Sequence, residues 1–321
     1  MQLHHGIDDL KRLPHGTALS IGNFDGVHRG HRQILKVAHE LNSTGLAVVT
    51  FEPHPLTVLR PELAAPRLTP LPLKQAILQD LGVDHLVVLP PTPEVLNLTA
   101  EAFWRILCND VQPAHLIEGS TFSFGKGRAG TVDRLRAWAS LTNIQLHIVP
   151  PVQVALLNLQ VVPVSSSLIR WLLVHGRARD AAICLSQPYT LQGPVIKGQQ
   201  RGRALGIPTA NIDCTDQLIP AEGVYTGRCN IDGITYPAAI SIGILPTFDE
   251  EKLQVEAHLI GFDKDLYGKT IKLQVLDWLR EQRKFPNVQA LKEKIDEDVA
   301  WTKDRSDLIA SKAIASISNT D

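Results

Sequence analysis

The sequence predicts an α/β chain in two parts, a doubly wound parallel-sheet domain followed by a small β-barrel domain that ends in a helix. Three observations point there. In the first half, apolar runs of strand length alternate with stretches whose apolar residues recur at helical spacing. Beyond Gln187 that spacing gives way to short apolar runs separated by Gly, Pro and Asp turns. A length of 321 residues also exceeds what one ordinary core organises.

Taken in order, Thr17 to Ile21 reads as a short buried strand, and Arg29 to Leu41 as a helix with Ile34, Leu35, Ala38 and Leu41 at helical spacing. There follow a strand from Leu46 to Phe51, a helix near Leu73 to Leu81, a strand from His85 to Leu89 and a helix from Ala100 to Cys108. A strand from His115 to Glu118, a helix near Val132 to Leu141 and a strand from Gln145 to Val149 complete the alternation. Such a pattern implies a Rossmann-like sheet with helices on both faces, which binds ligands beyond the carboxyl ends of its strands at the switch point. A helical stretch that includes Ala178 to Leu185 closes this part, so the expected domains are residues 1–186 and 187–321. In the second, strands are expected over Tyr189 to Lys197, Val224 to Ile231, Tyr236 to Ile242, Leu253 to Ile260 and Thr270 to Trp278, enough for a small closed barrel. Leu291, Ile295 and Val299 place a helix over Val288 to Lys303, and residues from about Ser316 to Asp321 read as a frayed tail.

Composition narrows the class of ligand. With a net charge of −1 and 5% aromatic residues, the chain has neither the basic surface that binds nucleic acid nor a polybasic membrane patch, so its ligands are expected to be small. Cys108, Cys184, Cys214 and Cys229 are far apart and form no C-x-x-C, which fits reduced thiols in the cytoplasm. The first residues, MQLHHGIDDLKRLPHG, lack the basic and apolar segments of a secretion signal. The apolar stretch from Val152 to Val164 is interrupted by Gln153, Asn158, Gln160 and Pro163 and is too short to span a bilayer. A cytoplasmic monomer or weak oligomer is expected.

The most informative segment is GNFDGVHRGH, Gly22 to His31, lying between the first strand and the first helix. A helix N-terminus offers unpaired N–H groups and the positive end of the helix dipole to an anion, and Gly26 and Gly30 leave its approach open. His28 and His31, three apart, face the same way, as a pocket for the phosphates of ATP requires. A half-built metal site and two surface imidazoles are the plainer alternatives, but zinc would need further ligands that are absent beside this pair. Asn23, Phe24 and Asp25 in the turn raise the specificity above that of a bare pair.

Three more segments sit just past strand ends and would converge on one crevice. FEPHP, Phe51 to Pro55, is a rigid turn that can aim His54 inward, or simply a Pro-rich turn. GSTFSFGKGRAG, Gly119 to Gly130, has Gly, Lys and Arg able to wrap a phosphate or ribose, but lacks the ending of a Walker A loop. VSSSLIR, Val164 to Arg170, offers serines that cap a helix, with Arg170 a turn further on. In the second half, KGQQRGRALGIPTAN, Lys197 to Asn211, combines a loop containing Gly198, Gly202 and Gly206, which alone reads equally as a simple hairpin, with Arg201, Arg203 and Pro208 ahead of Thr209 and Asn211. The hydroxyl and amide oxygens of Thr209 and Asn211 are hard ligands suited to Mg²⁺, which keeps most of its waters and bridges to substrate phosphates. Downstream, VEAHL puts Glu256 and His258 on one face of a strand, and DLYG and LREQRKF follow.

Together these segments resemble the bacterial bifunctional riboflavin kinase/FMN adenylyltransferases, or FAD synthetases, over nearly the whole chain. The first histidine motif is that of the HxGH nucleotidyltransferase superfamily, and GRALGIPTAN is that of a riboflavin kinase module. The resemblance implies two steps, phosphorylation of riboflavin by Mg²⁺-ATP to FMN and adenylylation of FMN by a second ATP to FAD. It implies that His28, His31 and Arg170 stabilise transferring charge and that Ser165 and Ser166 belong to a second phosphate-binding segment. Gly22, Asn23, Phe24, Asp25, Gly30, His54, Gly119 and Phe124 would line the first site; Gly198, Arg203, Gly206, Pro208, Thr209, Asn211 and Arg280 would line the second, with Thr209 and Asn211 on the metal. Glu256 would be the general base for the ribityl hydroxyl, where a solvated strand carboxylate is the plainer reading. The sequence departs from the family pattern at Thr121, Leu168, Gln187, Ser241 and Leu245. The rival expectations are another adenylyltransferase of the same superfamily, against which the PTAN half argues, and a flavin-binding homologue with one module decayed.

Overall fold

A computed structural model describes residues 1–41, 43–198, 206–246 and 251–318. It divides into two compact units, Met1–Ala65 with Leu71–Gln153, and Pro66–Pro70 with Val154–Asp321.

The first unit is built on β1 (Gln2–His5), β2 (Ala18–Ile21), β3 (Leu46–Phe51), β4 (His85–Leu89) and β5 (His115–Gly119), with a two-residue pair β6 (Ser123–Phe124) and β7 (Gly130–Thr131), and then β8 (Gln145–Val149). The main sheet is parallel throughout, in the order β1-β4-β3-β2-β5-β8. Its helices are α1 (Arg29–His39), the single turn α2 (Leu56–Leu59), α3 (Leu71–Asp80), the single turn α4 (Pro93–Leu96), α5 (Ala100–Ile106) and α6 (Val132–Ala139). Side chains that alternate along the strands feed two cores. Leu19, Ile21, Val49, Val87 and Leu89 pack with Phe103, Trp104 and Leu135, while Ala18, Val48, Leu86 and Val88 pack with Ile34, Leu35, Ile77 and Leu78. Burial on both faces is what gives these strands their continuous apolar runs. β1 was not among the expected strands; its four residues pair only with β4, at the edge.

The chain goes from β2 to β3 and β4 on one side and then returns to place β5 on the other, so the switch point lies between β2 and β5. These two strands pair only at Ala18 with His115 and at Leu19 with Leu116. Beyond that, β2 stays with β3 as far as Ile21, and β5 with β8 as far as Gly119.

In the second unit a hairpin of β9 (Gln153–Ala155) and β10 (Val161–Pro163) occupies the apolar stretch, followed by α7 (Ser166–Val174) and α8 (Ala178–Leu185). A closed barrel follows, made of β11 (Tyr189–Ile196), β12 (Ala210–Ile212), β13 (Gly223–Ile231), β14 (Ile234–Pro246), β15 (Glu251–Leu259) and β16 (Thr270–Arg280) in the order β11-β12-β15-β14-β13-β16. The three residues of β12 form a strand that the sequence pattern does not disclose. Helix α8 forms where expected, but Ala181, Cys184 and Leu185 share a core with Leu191, Leu273 and Val275 of the barrel.

The last helix, α9 (Val288–Ser318), runs well past Lys303 because no Gly or Pro interrupts it. Ser316 to Ser318, expected to fray, are helical, and residues 319–321 lie outside the described residues. Asp298 of α9 accepts from Arg280 of β16, at 2.7 Å from Nη2 and 3.0 Å from Nε.

The segment Pro66–Pro70 is a strap that belongs to this second unit. Leu68 is fully buried in its core. Arg170 Nε donates to Pro66 O at 2.8 Å, Leu218 N to Arg67 O at 2.8 Å, and the buried Gln217 donates through Nε2 to Leu68 O at 2.9 Å and to Thr190 O at 2.6 Å. Truncation Leu68→Ala is therefore expected to destabilise the protein by about 2–5 kcal/mol, measured as a lower urea midpoint with unchanged slope.

Candidate active sites

In the first unit, His28 is the N-cap of α1. Its backbone is extended (φ −72°, ψ 173°) and its ring nitrogen Nδ1 accepts from the N–H of His31 at 3.4 Å, the task usually given to Ser or Asp. The His28 and His31 rings stack with centroids 3.7 Å apart and planes 16° apart. A Cβ at Gly30 would lie 3.1 Å from His28 Cε1, so a side chain here would press on the cap ring. Phe24 and Val27 take left-handed backbone (φ 46° and 41°), a strain of about 1–2 kcal/mol each that their burial sustains. Phe24 also flanks the His31 ring, with centroids 4.8 Å apart.

His31 Nδ1 is buried with no hydrogen-bond partner. Burial first, and then the nearby His28 and Lys74, hold the ring's pKa well below the ordinary histidine value. An unused polar atom at a helix N-terminus is the arrangement that a ligand oxygen would complete.

FEPHP follows β3 and brings His54 to the same loop, with Nε2 3.0 Å from Asn23 Nδ2 and Nδ1 accepting from Leu56 N at 3.1 Å. Thr50 Oγ1 donates to Asn23 O at 3.0 Å, which fixes the loop from below. Asp25 is buried within the loop. Gly119 ends β5, and Gly22 follows the end of β2. Phe124, expected along the first site, lies with its ring against Gly130 and packs with Phe103, Phe122 and Trp138 in an aromatic cluster. Thr121 is exposed.

Two residues of this site had no signal in the sequence. Glu118, one residue before Gly119, is buried between the separating strands, and its Oε1 accepts from Ile21 N at 2.8 Å. Burial raises its pKa well above the carboxylate norm, partly offset by that bond. Lys74 of α3 reads as one polar residue in a helix, yet its ammonium is buried 3.5 Å from Glu52 Oε2.

Ser165, Ser166 and Arg170 lie in the second unit. Ser165 caps α7 by accepting from Leu168 N at 3.2 Å, and Arg170 holds the strap. Leu168, the departure from the family pattern, packs against that unit's core.

The barrel site is assembled by β12. Asn211 stands directly opposite Glu256, and on the other side Glu256 stands opposite Ser241. Val255, Ala257 and Leu259 point into the barrel, so Glu256 and His258 share the outer face as expected. Thr209 Oγ1 donates to Glu256 Oε2 at 3.4 Å, and His258 Nδ1 donates to Pro208 O at 2.8 Å. The Asn211 amide lies over Gly198, where a Cβ would collide with it. Gly206 is left-handed at φ 77°. Gln282 Nε2 donates to Ser241 Oγ at 2.7 Å, so the departure at Ser241 has its own partner. Arg280, expected at a ligand, donates through Nε and Nη2 to Asp298 and so also anchors α9. Arg201, Gly202, Arg203 and the side chain of Leu245 lie outside the described residues.

A helix N-terminus lined by two imidazoles at a parallel-sheet switch point, together with a barrel carrying clustered hard oxygen donors, defines a two-module transferase of nucleotide-derived groups. The comparisons agree. The family model described as FAD synthetase matches residues 10–166, and that described as riboflavin kinase matches residues 185–305. The bifunctional riboflavin kinase/FMN adenylyltransferase of Pseudomonas fluorescens is 34% identical, over 94% of this chain and 96% of its own length. The protein of that name from Escherichia coli K12 is 31% identical, over 93% and 96%. A solved chain described as a macrolide-efflux protein from Streptococcus pneumoniae superposes with a TM-score of 0.82 at 28% identity, covering 95% of this chain and all of its own. Among the described residues no helix is long and apolar enough to cross a membrane. The chain belongs to the bifunctional riboflavin kinase/FMN adenylyltransferase family.

Glu118 yields a pH test. Its raised folded-state value means that its contribution to stability is fully present below the unfolded pKa and is lost as pH rises through the folded one. Glu118→Gln, which keeps an acceptor for Ile21 N–H, is expected to raise the denaturation midpoint relative to the parent at pH 8 and to change it least near pH 4; a gain that is largest in acid would contradict this.

Proposed function

We propose that the chain converts riboflavin to FAD in two ATP-dependent steps, with the kinase in the barrel and the adenylyltransferase in the parallel-sheet unit. In the first step the 5′-hydroxyl of riboflavin attacks the γ-phosphorus of ATP, giving FMN and ADP. In the second, a phosphate oxygen of FMN attacks the α-phosphorus of another ATP, giving FAD and pyrophosphate. The observation that carries the second step is the stacked pair of imidazoles at the start of α1, with His31 Nδ1 buried and unused.

Neither step calls for a covalent enzyme intermediate, so the residues act by alignment and by countering charge. His28 and His31 face the phosphates, backbone N–H groups of the first turn of α1 add to them, and Asn23 is steadied by His54. Arg170, Ser165 and Ser166 form the second phosphate-binding segment by resemblance. A phosphate nucleophile is already anionic, so the adenylyl step needs no strong base. The alcohol of riboflavin does, and we assign that proton to Glu256, a reading its hydrogen bond from Thr209 supports.

Mg²⁺ is assigned to Thr209 and Asn211, whose neutral hard oxygens beside one carboxylate suit a cation that keeps its waters and shares substrate phosphate. When bound it neutralises charge on the phosphoryl group. The partners remain riboflavin, FMN and ATP, consistent with a net charge of −1, in a monomer or weak oligomer. A cytoplasmic location is supported by four free cysteines. We place the functional boundary between the modules at residues 186 and 187, close to where the second family model begins.

Incubation with riboflavin, ATP and Mg²⁺ followed by chromatography should give FMN and then FAD; FMN alone would remove the adenylyltransferase assignment. His31→Ala is expected to lower FAD formation from FMN by roughly 10² to 10³ and to leave FMN formation intact. Glu256→Gln should do the reverse, lowering riboflavin phosphorylation by roughly 10² to 10⁴.

A further inference from the structure

Lys74 lies on the inward side of α3 beside Leu73, Ile77 and Leu78, and its side chain is only 4% exposed. An ammonium this far from water is costly to keep charged, so the position of its carboxylate is informative. That carboxylate belongs to Glu52, whose Oε2 lies 3.5 Å from Nζ. Glu52 directly follows β3 and opens the turn that presents His54 to Asn23. Burial first, then His28 and then this ammonium, disfavour a proton on His31. A buried ion pair gains little stability over apolar side chains of similar volume. This one joins α3 to the turn beside the histidine loop.

We propose that Lys74 is a further charge-supplying residue of the adenylyl-transfer site, held in place by Glu52, and that its ammonium adds positive potential beside the two imidazoles for the triphosphate of ATP. The proposal rests on the adenylyltransferase reading above. Glu52 is the positioning residue of the pair. In the absence of ligand, burial first and then His28 and Lys74 disfavour a proton on His31.

The test uses the full chain with Lys74→Met, Lys74→Arg and the double variant Glu52→Gln/Lys74→Met. FMN adenylylation (kcat and KM for ATP), riboflavin phosphorylation and the urea midpoint are measured on each preparation. Lys74→Met is expected to lower kcat/KM for adenylylation by roughly 10- to 100-fold, to leave phosphorylation within about twofold, and to raise the NMR-monitored pKa of His31. Lys74→Arg should recover part of the loss. The double variant, which removes both members of the ion pair, should regain the urea midpoint but not adenylylation. Recovery of adenylylation to within about threefold in the double variant would reduce the pair to a structural contact and overturn the proposal. A parent protein that phosphorylates riboflavin but never adenylylates FMN would instead defeat the reading on which the proposal stands.

Discussion

Two strands that stop pairing partway leave backbone groups and a gap that something must fill. Here β2 and β5 share only two residue pairs before they separate, and the first site is assembled around that opening. The histidine loop rises from one lip and the glycine-rich segment after Gly119 from the other. Glu118 supplies the acceptor that Ile21 N–H would otherwise lack. The loop takes left-handed backbone at Phe24 and Val27 because both side chains are anchored in the core under α1. The sheet's divergence, more than any single residue, places a helix N-terminus where a phosphate can meet it.

The barrel solves a related problem by different means. Its donors are side-chain oxygens, and their arrangement depends on the three residues of β12 lying between β11 and β15. Register does the work of orientation there, since a slip of one residue would turn Asn211 and Glu256 to the other face. The first site gathers a helix dipole and imidazoles, and the second gathers neutral side-chain oxygens beside a carboxylate.

Much of this was legible in the sequence. The alternation of strands and helices, the barrel after Gln187, the loop around His28 and the shared face of Glu256 and His258 are all local patterns, set by spacing and glycine position. What escaped was decided across long separations. β1 is recognisable only through β4, and β12 only through its two neighbours. The grip of Asp298 on Arg280, eighteen residues apart, has no local signature. The aromatic cluster that Phe124 joins with Phe103 and Trp138 is likewise formed across distant segments. Glu118 and Lys74 belong to no motif, and only burial distinguishes them from ordinary surface charges.

The strap around Leu68 bears on how such a polypeptide can be divided. The chain leaves the first unit after Ala65, returns at Leu71 and leaves again after Gln153, so no single cut yields two self-sufficient halves. A gene split between the codons for Gln153 and Val154 would strand Leu68 on the wrong product and deprive Gln217 of one of its acceptors. Two such products would restore the native packing only by complementation, with the amino-terminal piece lending its partner a plug.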